Sequence, residues 1–199
     1  MLATLAVSLS LITSLTHATT LANGDGTQLS FMESGASQKI GGYMPQRAAL
    51  SDTKPETLKK APEGLKAPLY GVLGVPGAKG RTFHVILDEP EGAPAKLYVD
   101  SNGDGDLTND GETEWNAKKG PGRDGKEYTT YNGGFTIMLG TGAGVKGHIN
   151  AYRFDKNDPG REQLKTTLLF YRDYGVSGKL AVGEKTYDVM LDDGMTTGD

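Results

Sequence analysis

The chain has 199 residues, enough for one domain with a sizeable core, and its 36% hydrophobic share and 29 glycines favour turns and short strands over long helices. The absence of cysteine excludes disulfides, thiolate metal sites and cysteine nucleophiles, and without a basic run with interleaved aromatics there is no footprint for nucleic acid. The formal net charge is −4, yet six acids and no base lie between Asp100 and Glu114, so the acidity is local and calls for a cation.

In chain order, Leu2 to Leu15 is an apolar stretch that ends near Thr16-His17-Ala18, a small-x-Ala pattern, so residues 1–18 read as a signal peptide. The run is too short and too rich in Ser and Thr to span a membrane, and the expected location is secreted, periplasmic or cell-surface. Residues 19–68, punctuated by Pro45, Pro55, Pro62 and Pro68, read as an extended Pro/Gly-rich lead-in with one helical turn at Glu56 to Lys60. Residues 69–199 read as a β-rich domain, its final acidic turn from Asp192 to Asp199 interrupted as though the reading frame continued.

Within that domain, Phe83, Val85 and Leu87 share one face of a strand, as do Leu97 and Val99. Further strands are expected at Tyr128 to Tyr131, Phe135 to Leu139, His148 to Phe154, Thr167 to Tyr171, Gly178 to Val182 and Tyr187 to Leu191. Gly183-Glu184 is expected to turn the last pair into a hairpin with Tyr187, Val189 and Leu191 facing inward. The fold class expected is mainly β, an antiparallel sandwich or barrel-like domain.

The segment Asp100-Ser101-Asn102-Gly103-Asp104-Gly105-Asp106-Leu107-Thr108 places oxygen-bearing side chains at alternate positions, which lets a tight loop aim them at one point. Such spacing suits Ca²⁺, which takes hard oxygen donors, and the segment resembles an EF-hand-type calcium-binding loop. By that resemblance Asp100, Asn102 and Asp104 ligate through their side chains, Gly105 makes the sharp turn, Asp106 contributes its main-chain carbonyl, Leu107 faces the core and Thr108 acts directly or through water. Where the family closes the loop with a bidentate Glu, this chain has Gly111, flanked by Asp110, the first choice for the closing ligand, and Glu112, the second.

The flanks of the loop are strand-like or rich in Gly and Pro, so a paired helix–loop–helix sensor is not expected. The lead-in from Gln46 to Gly71 is also similar to that of uncharacterised secreted bacterial proteins with such loops, a resemblance that implies no activity. Other motifs carry less: Gly142-x-Gly144-x-x-Gly147 precedes a strand pattern and not a helix, and Asn23-Gly24-Asp25-Gly26 reads as a turn. His84 reads as a sheet residue, and no catalytic motif is found.

Tyr128, Tyr131, Tyr152, Tyr171 and Tyr174 with Trp115 read as core and cross-strand packing, with a carbohydrate-stacking face as the alternative. The function expected is structural calcium binding in a non-enzymatic exported protein, with a glycan or envelope component as the open partner. The alternatives are a carbohydrate-binding or carbohydrate-active module with structural calcium, or the accessory N-terminal part of a longer secreted enzyme.

Overall fold

The computed structural model describes residues 21–23, 27–75, 78, 80–111, 113–140 and 144–191. The expected signal peptide, Glu112 and the acidic turn from Asp192 lie outside these described residues, as does most of Asn23 to Gly26. Among the described residues no helix is long and apolar enough to cross a membrane.

The chain opens with strands β1 (Leu21–Asn23) and β2 (Thr27–Met32), the short helix α1 (Ala36–Ile40) and strand β3 (Gln46–Ala49). After an irregular stretch come β4 (Pro68–Leu73), β5 (Phe83–Asp88) and β6 (Lys96–Val99). Beyond the acidic loop follow β7 (Asn116–Pro121), β8 (Glu127–Met138), β9 (Lys146–Arg153) and β10 (Thr167–Arg172), then the hairpin β11 (Gly175–Val182) and β12 (Lys185–Leu191). Strand accounts for 47% and helix for 7% of the structure.

These strands make three antiparallel sheets, in the orders β3-β10-β9-β8-β7, β4-β5-β6 and β1-β2-β11-β12, and none closes into a barrel. The first two face each other like a sandwich. Alternation along each strand sends Phe83, Val85, Leu87, Leu97 and Val99 from one sheet towards Phe135, Ile137, Ile149, Leu168 and Phe170 from the other. Residues 19–68 do more than lead in, because β2 pairs with β11 and β3 with β10.

Two local expectations differ from what forms. Asn132-Gly133-Gly134 does not break the chain into two strands; β8 runs through it. The reason is close approach: a Cβ on Gly133 would sit 1.8 Å from the Glu114 carbonyl oxygen, and one on Gly134 would sit 2.5 Å from His148 Nε2. The hairpin at Gly183 forms, with φ at 61°, but Tyr187 and Leu191 do not face inward; they are 48% and 59% exposed. Among the described residues neither buried apolar cluster includes a residue of their sheet.

Two buried charges hold the frame. Arg153 is only 1% exposed, and its guanidinium forks onto Glu89 at 3.0 and 3.2 Å while also donating to the carbonyls of Leu164, Lys165 and Thr167. Asp173 caps α1 from across the fold, since Gly35 at the N-cap has no side chain to do it. Its carboxylate accepts from the backbone N–H groups of Gly35 and Ser37 at 2.8 and 3.0 Å and from the Ser37 hydroxyl at 2.5 Å. Burial pushes this carboxyl up, but those hydrogen bonds and the neighbouring His148 outweigh it and leave it below its ordinary value.

Arg153→Met should lower unfolding free energy by about 3–5 kcal/mol, because it strands the Glu89 carboxylate, and urea titration will measure it. A second expectation follows from Asp173. A depressed carboxyl stabilises the fold above its unfolded value of about 3.9 and ceases to do so as pH falls through its lower folded value. The protection factors of the Ala36 to Ile40 amides, corrected for the intrinsic pH dependence of exchange, should therefore fall more steeply on acidification below about pH 4 than they do in Asp173→Asn.

Candidate metal centre

The loop starts where β6 runs out. Asp100 donates its N–H to the His84 carbonyl at 2.9 Å, the last bond of the sheet, and its side chain turns inward to 0% exposure. There the carboxylate accepts from the N–H groups of Asp104 at 3.1 Å and Gly105 at 2.8 Å, so one buried acid folds the first half of the loop around itself.

Alternate residues then repeat a smaller turn. The side-chain oxygens of Asn102, Asp104 and Asp106 accept from the N–H groups two residues on, Asp104, Asp106 and Thr108, at 2.8, 2.7 and 3.0 Å. Gly103 and Gly105 take φ of 69° and 84°, the left-handed region that suits glycine. At Gly105 space forbids a side chain as well, because a Cβ would lie 2.9 Å from the Thr57 carbonyl oxygen.

Leu107 points the other way. It is buried with Leu58 and Ile86, so the loop and the segment before β4 together cover the second face of β5. Backbone bonds fasten the two: Lys59 and Lys60 donate to the Gly105 carbonyl at 2.8 and 3.1 Å, and Leu107 donates to the Lys60 carbonyl at 3.2 Å. At the far end of that segment, Asp88 on β5 accepts from the N–H groups of Lys66 and Ala67.

The acidic cluster is less isolated than its sequence implies. Lys60 Nζ lies 2.6 Å from Asp106 Oδ2, Lys59 Nζ donates to the Asp104 carbonyl at 2.5 Å, and the Arg81 guanidinium donates to the Asn102 carbonyl. No signal near Asp100 could have pointed to these bases, since they arrive from other parts of the chain. The hydrogen bond from Lys60 leads the causes that hold the Asp106 carboxyl down to about 2, and Asp106 in turn raises Lys60. The Asn109 amide, 2.9 Å away, is the main cause of the lowered Asp104 carboxyl.

Asp110 returns the loop to its beginning. One of its oxygens accepts from the Ser101 N–H at 3.0 Å and from the Ser101 hydroxyl at 2.5 Å, while the other, Oδ2, is buried with no partner among the described residues. Burial raises the Asp100 carboxyl against the hydrogen bonds from Gly105 and Asp104, and the charge of Asp110 raises it further. Burial also lowers His84, whose buried Nδ1 has no partner among the described residues, and so favours its neutral form.

The structure thus brings Asp100 and Asp110 into electrostatic contact, with Asn102 and Asp104 on the turns between them. It commits the Asp106 side chain to Lys60 and to the Thr108 hydroxyl, and leaves Thr108 exposed. Among the described residues no three acidic or imidazole groups converge as a ready cage. Each carboxylate oxygen that accepts one N–H still has a free lone pair, so the turns and cation ligation are compatible chemically.

Gly105→Ala should destabilise the protein by about 2 kcal/mol through left-handed strain and the collision with Thr57, whereas Gly111→Ala, in open space, should stay within roughly 0.5 kcal/mol. Paired urea melts compare the two. No family model, curated protein or solved structure matches the chain, so the chemistry of the loop is read from its own residues.

Proposed function

We propose that the loop from Asp100 to Asp110 binds one calcium ion and that the ion serves mainly to hold the fold. The observation that carries this reading is the buried, unpartnered Oδ2 of Asp110 beside the fully buried carboxylate of Asp100. Two anions in one low-dielectric pocket repel, and a carboxylate oxygen without a donor carries a desolvation cost that a cation would remove.

The donor set selects the ion. Asp100, Asn102, Asp104 and Asp110 offer only hard oxygens, the carbonyl of Asp106 adds another, and the loop has neither thiolate nor imidazole to favour zinc or copper. Thr108 and Glu112 remain candidates for the outer positions. Mg²⁺ demands a near-ideal octahedron and suits a wound, multi-carbonyl loop less well than Ca²⁺ does.

A structural role follows from what the loop covers. Leu107 seals one face of β5, so an ion that fixes the loop stabilises the domain by mass action, by about 2.7 kcal/mol when free calcium is a hundredfold above Kd. Export, the reading of residues 1–18, would supply calcium at the level that sites with Kd of roughly 10⁻⁴–10⁻³ M require.

Calorimetric titration of chelator-stripped protein with Ca²⁺ tests the reading. Binding with unit stoichiometry and a raised melting temperature is expected, with Asp110→Asn and Asp104→Asn each weakening it at least about tenfold. No heat and no thermal shift up to roughly 10 mM Ca²⁺ would remove the proposal.

A further inference from the structure

The outer face of the five-stranded sheet has a chemistry of its own. Because Phe135, Ile149, Ala151 and Phe170 point into the core, alternation sends Asn132, Asn150, Tyr152 and Tyr171 to the opposite side. Register aligns them in two neighbouring rows: Asn116 opposite Asn132 and Asn132 opposite Tyr152, then Gly134 opposite Asn150 and Asn150 opposite Tyr171. Each row runs from amide to phenol.

Walls stand around these rows. Tyr43, 53% exposed, stacks on Tyr171 with ring centres 3.8 Å apart, and Glu114 borders the other side of a cleft of about 580 Å³. That volume is within the roughly 300–1,000 Å³ of small-molecule sites. Gly134 keeps the floor low, since any side chain there would strike His148. The expectation for the aromatics therefore divides: Trp115, Tyr131 and Tyr174 pack against the core, while Tyr152 and Tyr171 line the cleft.

The unpaired groups define the ligand. Among the described residues the Asn132 and Asn150 side chains make no hydrogen bond, leaving two N–H donors and one acceptor each, and Asn116 donates to Glu114 at 2.9 Å. A partner must present closely spaced hydroxyls to the amides and a flat, weakly apolar C–H face to the phenol rings. Among the described residues no Lys or Arg lines the cleft and Glu114 does, which disfavours polyanions. An extended peptide fits poorly too, because the floor is mid-sheet and its backbone groups are already paired in the ladder.

We infer that this cleft binds a neutral oligosaccharide. It is a binding site and not a hydrolytic one: Glu114 is the single carboxylate among the described lining residues, and glycoside hydrolysis ordinarily uses two. The inference does not depend on the calcium loop.

The test is calorimetric titration of the full chain, at constant calcium, with tetrasaccharides of β-1,4-linked glucose, xylose and N-acetylglucosamine and of α-1,4-linked glucose. At least one should bind, and Asn132→Ala, at an exposed position, should weaken it about tenfold or more without changing the melting temperature, while Tyr43→Ala, which also removes the stack on Tyr171, should weaken it by a similar factor in protein that still unfolds cooperatively. Absence of binding by all four at about 10 mM overturns the inference. So does binding that both variants leave intact, or capture of apolar peptides that the same variants abolish.

Discussion

Everything else in this molecule is arranged around a strand that is buried on both faces. From Phe83 to Asp88 every residue of β5 is shielded from water, although its sheet has only three strands and only one face meets the five-stranded sheet. Among the described residues no second sheet covers the opposite face, with His84, Ile86 and Asp88. Leu58 and Leu107 cover it instead, delivered by two irregular segments that are joined to each other by an isolated bridge between Lys60 and Asp106. Irregular backbone over a core has unpaired N–H groups to satisfy, and carboxylates satisfy them: Asp88 takes those of Lys66 and Ala67, and Asp100 those of Asp104 and Gly105.

That solution concentrates negative charge where water is scarce. The structure relieves part of it with Lys60 on Asp106 and with N–H donors on every acidic side chain from Asp100 to Asp110. What remains is concentrated at Asp100 and Asp110. Covering β5 and attracting a cation are therefore one physical problem, and the same winding that turns Leu107 inward leaves the oxygens gathered on the other side of the loop.

Much of this was legible from residue types alone, because it depends on local rules. Alternation picked out Phe83, Val85, Leu87, Leu97 and Val99 as an inner face, and the oxygen spacing from Asp100 with glycine at 105 described a wound loop. What escaped reading was set by distant partners. Asn132-Gly133-Gly134 has the composition of a turn, yet it is strand because Glu114 and His148 press against it. Lys59 and Lys60 sit in a Pro-punctuated stretch with no visible tie to an acidic loop, and Arg153 occupies an inward strand position where a buried guanidinium leaves no local trace. The tyrosines could be sorted into core and cleft only once register was known.

The capping of α1 by Asp173 has a consequence in time. Gly35 and Asp173 are 138 residues apart, and β2 and β3 likewise wait for β11 and β10. A chain made from its N-terminus can pair β1 with β2 early, yet it leaves β3 and the other edge of β2 open until β10 and β11 are made. Closing such long loops is entropically slow, whereas the Asp100 turn closes over five residues. The small loop can be native while both outer sheets are still open, which makes it the natural first fixed point of a slow-folding chain.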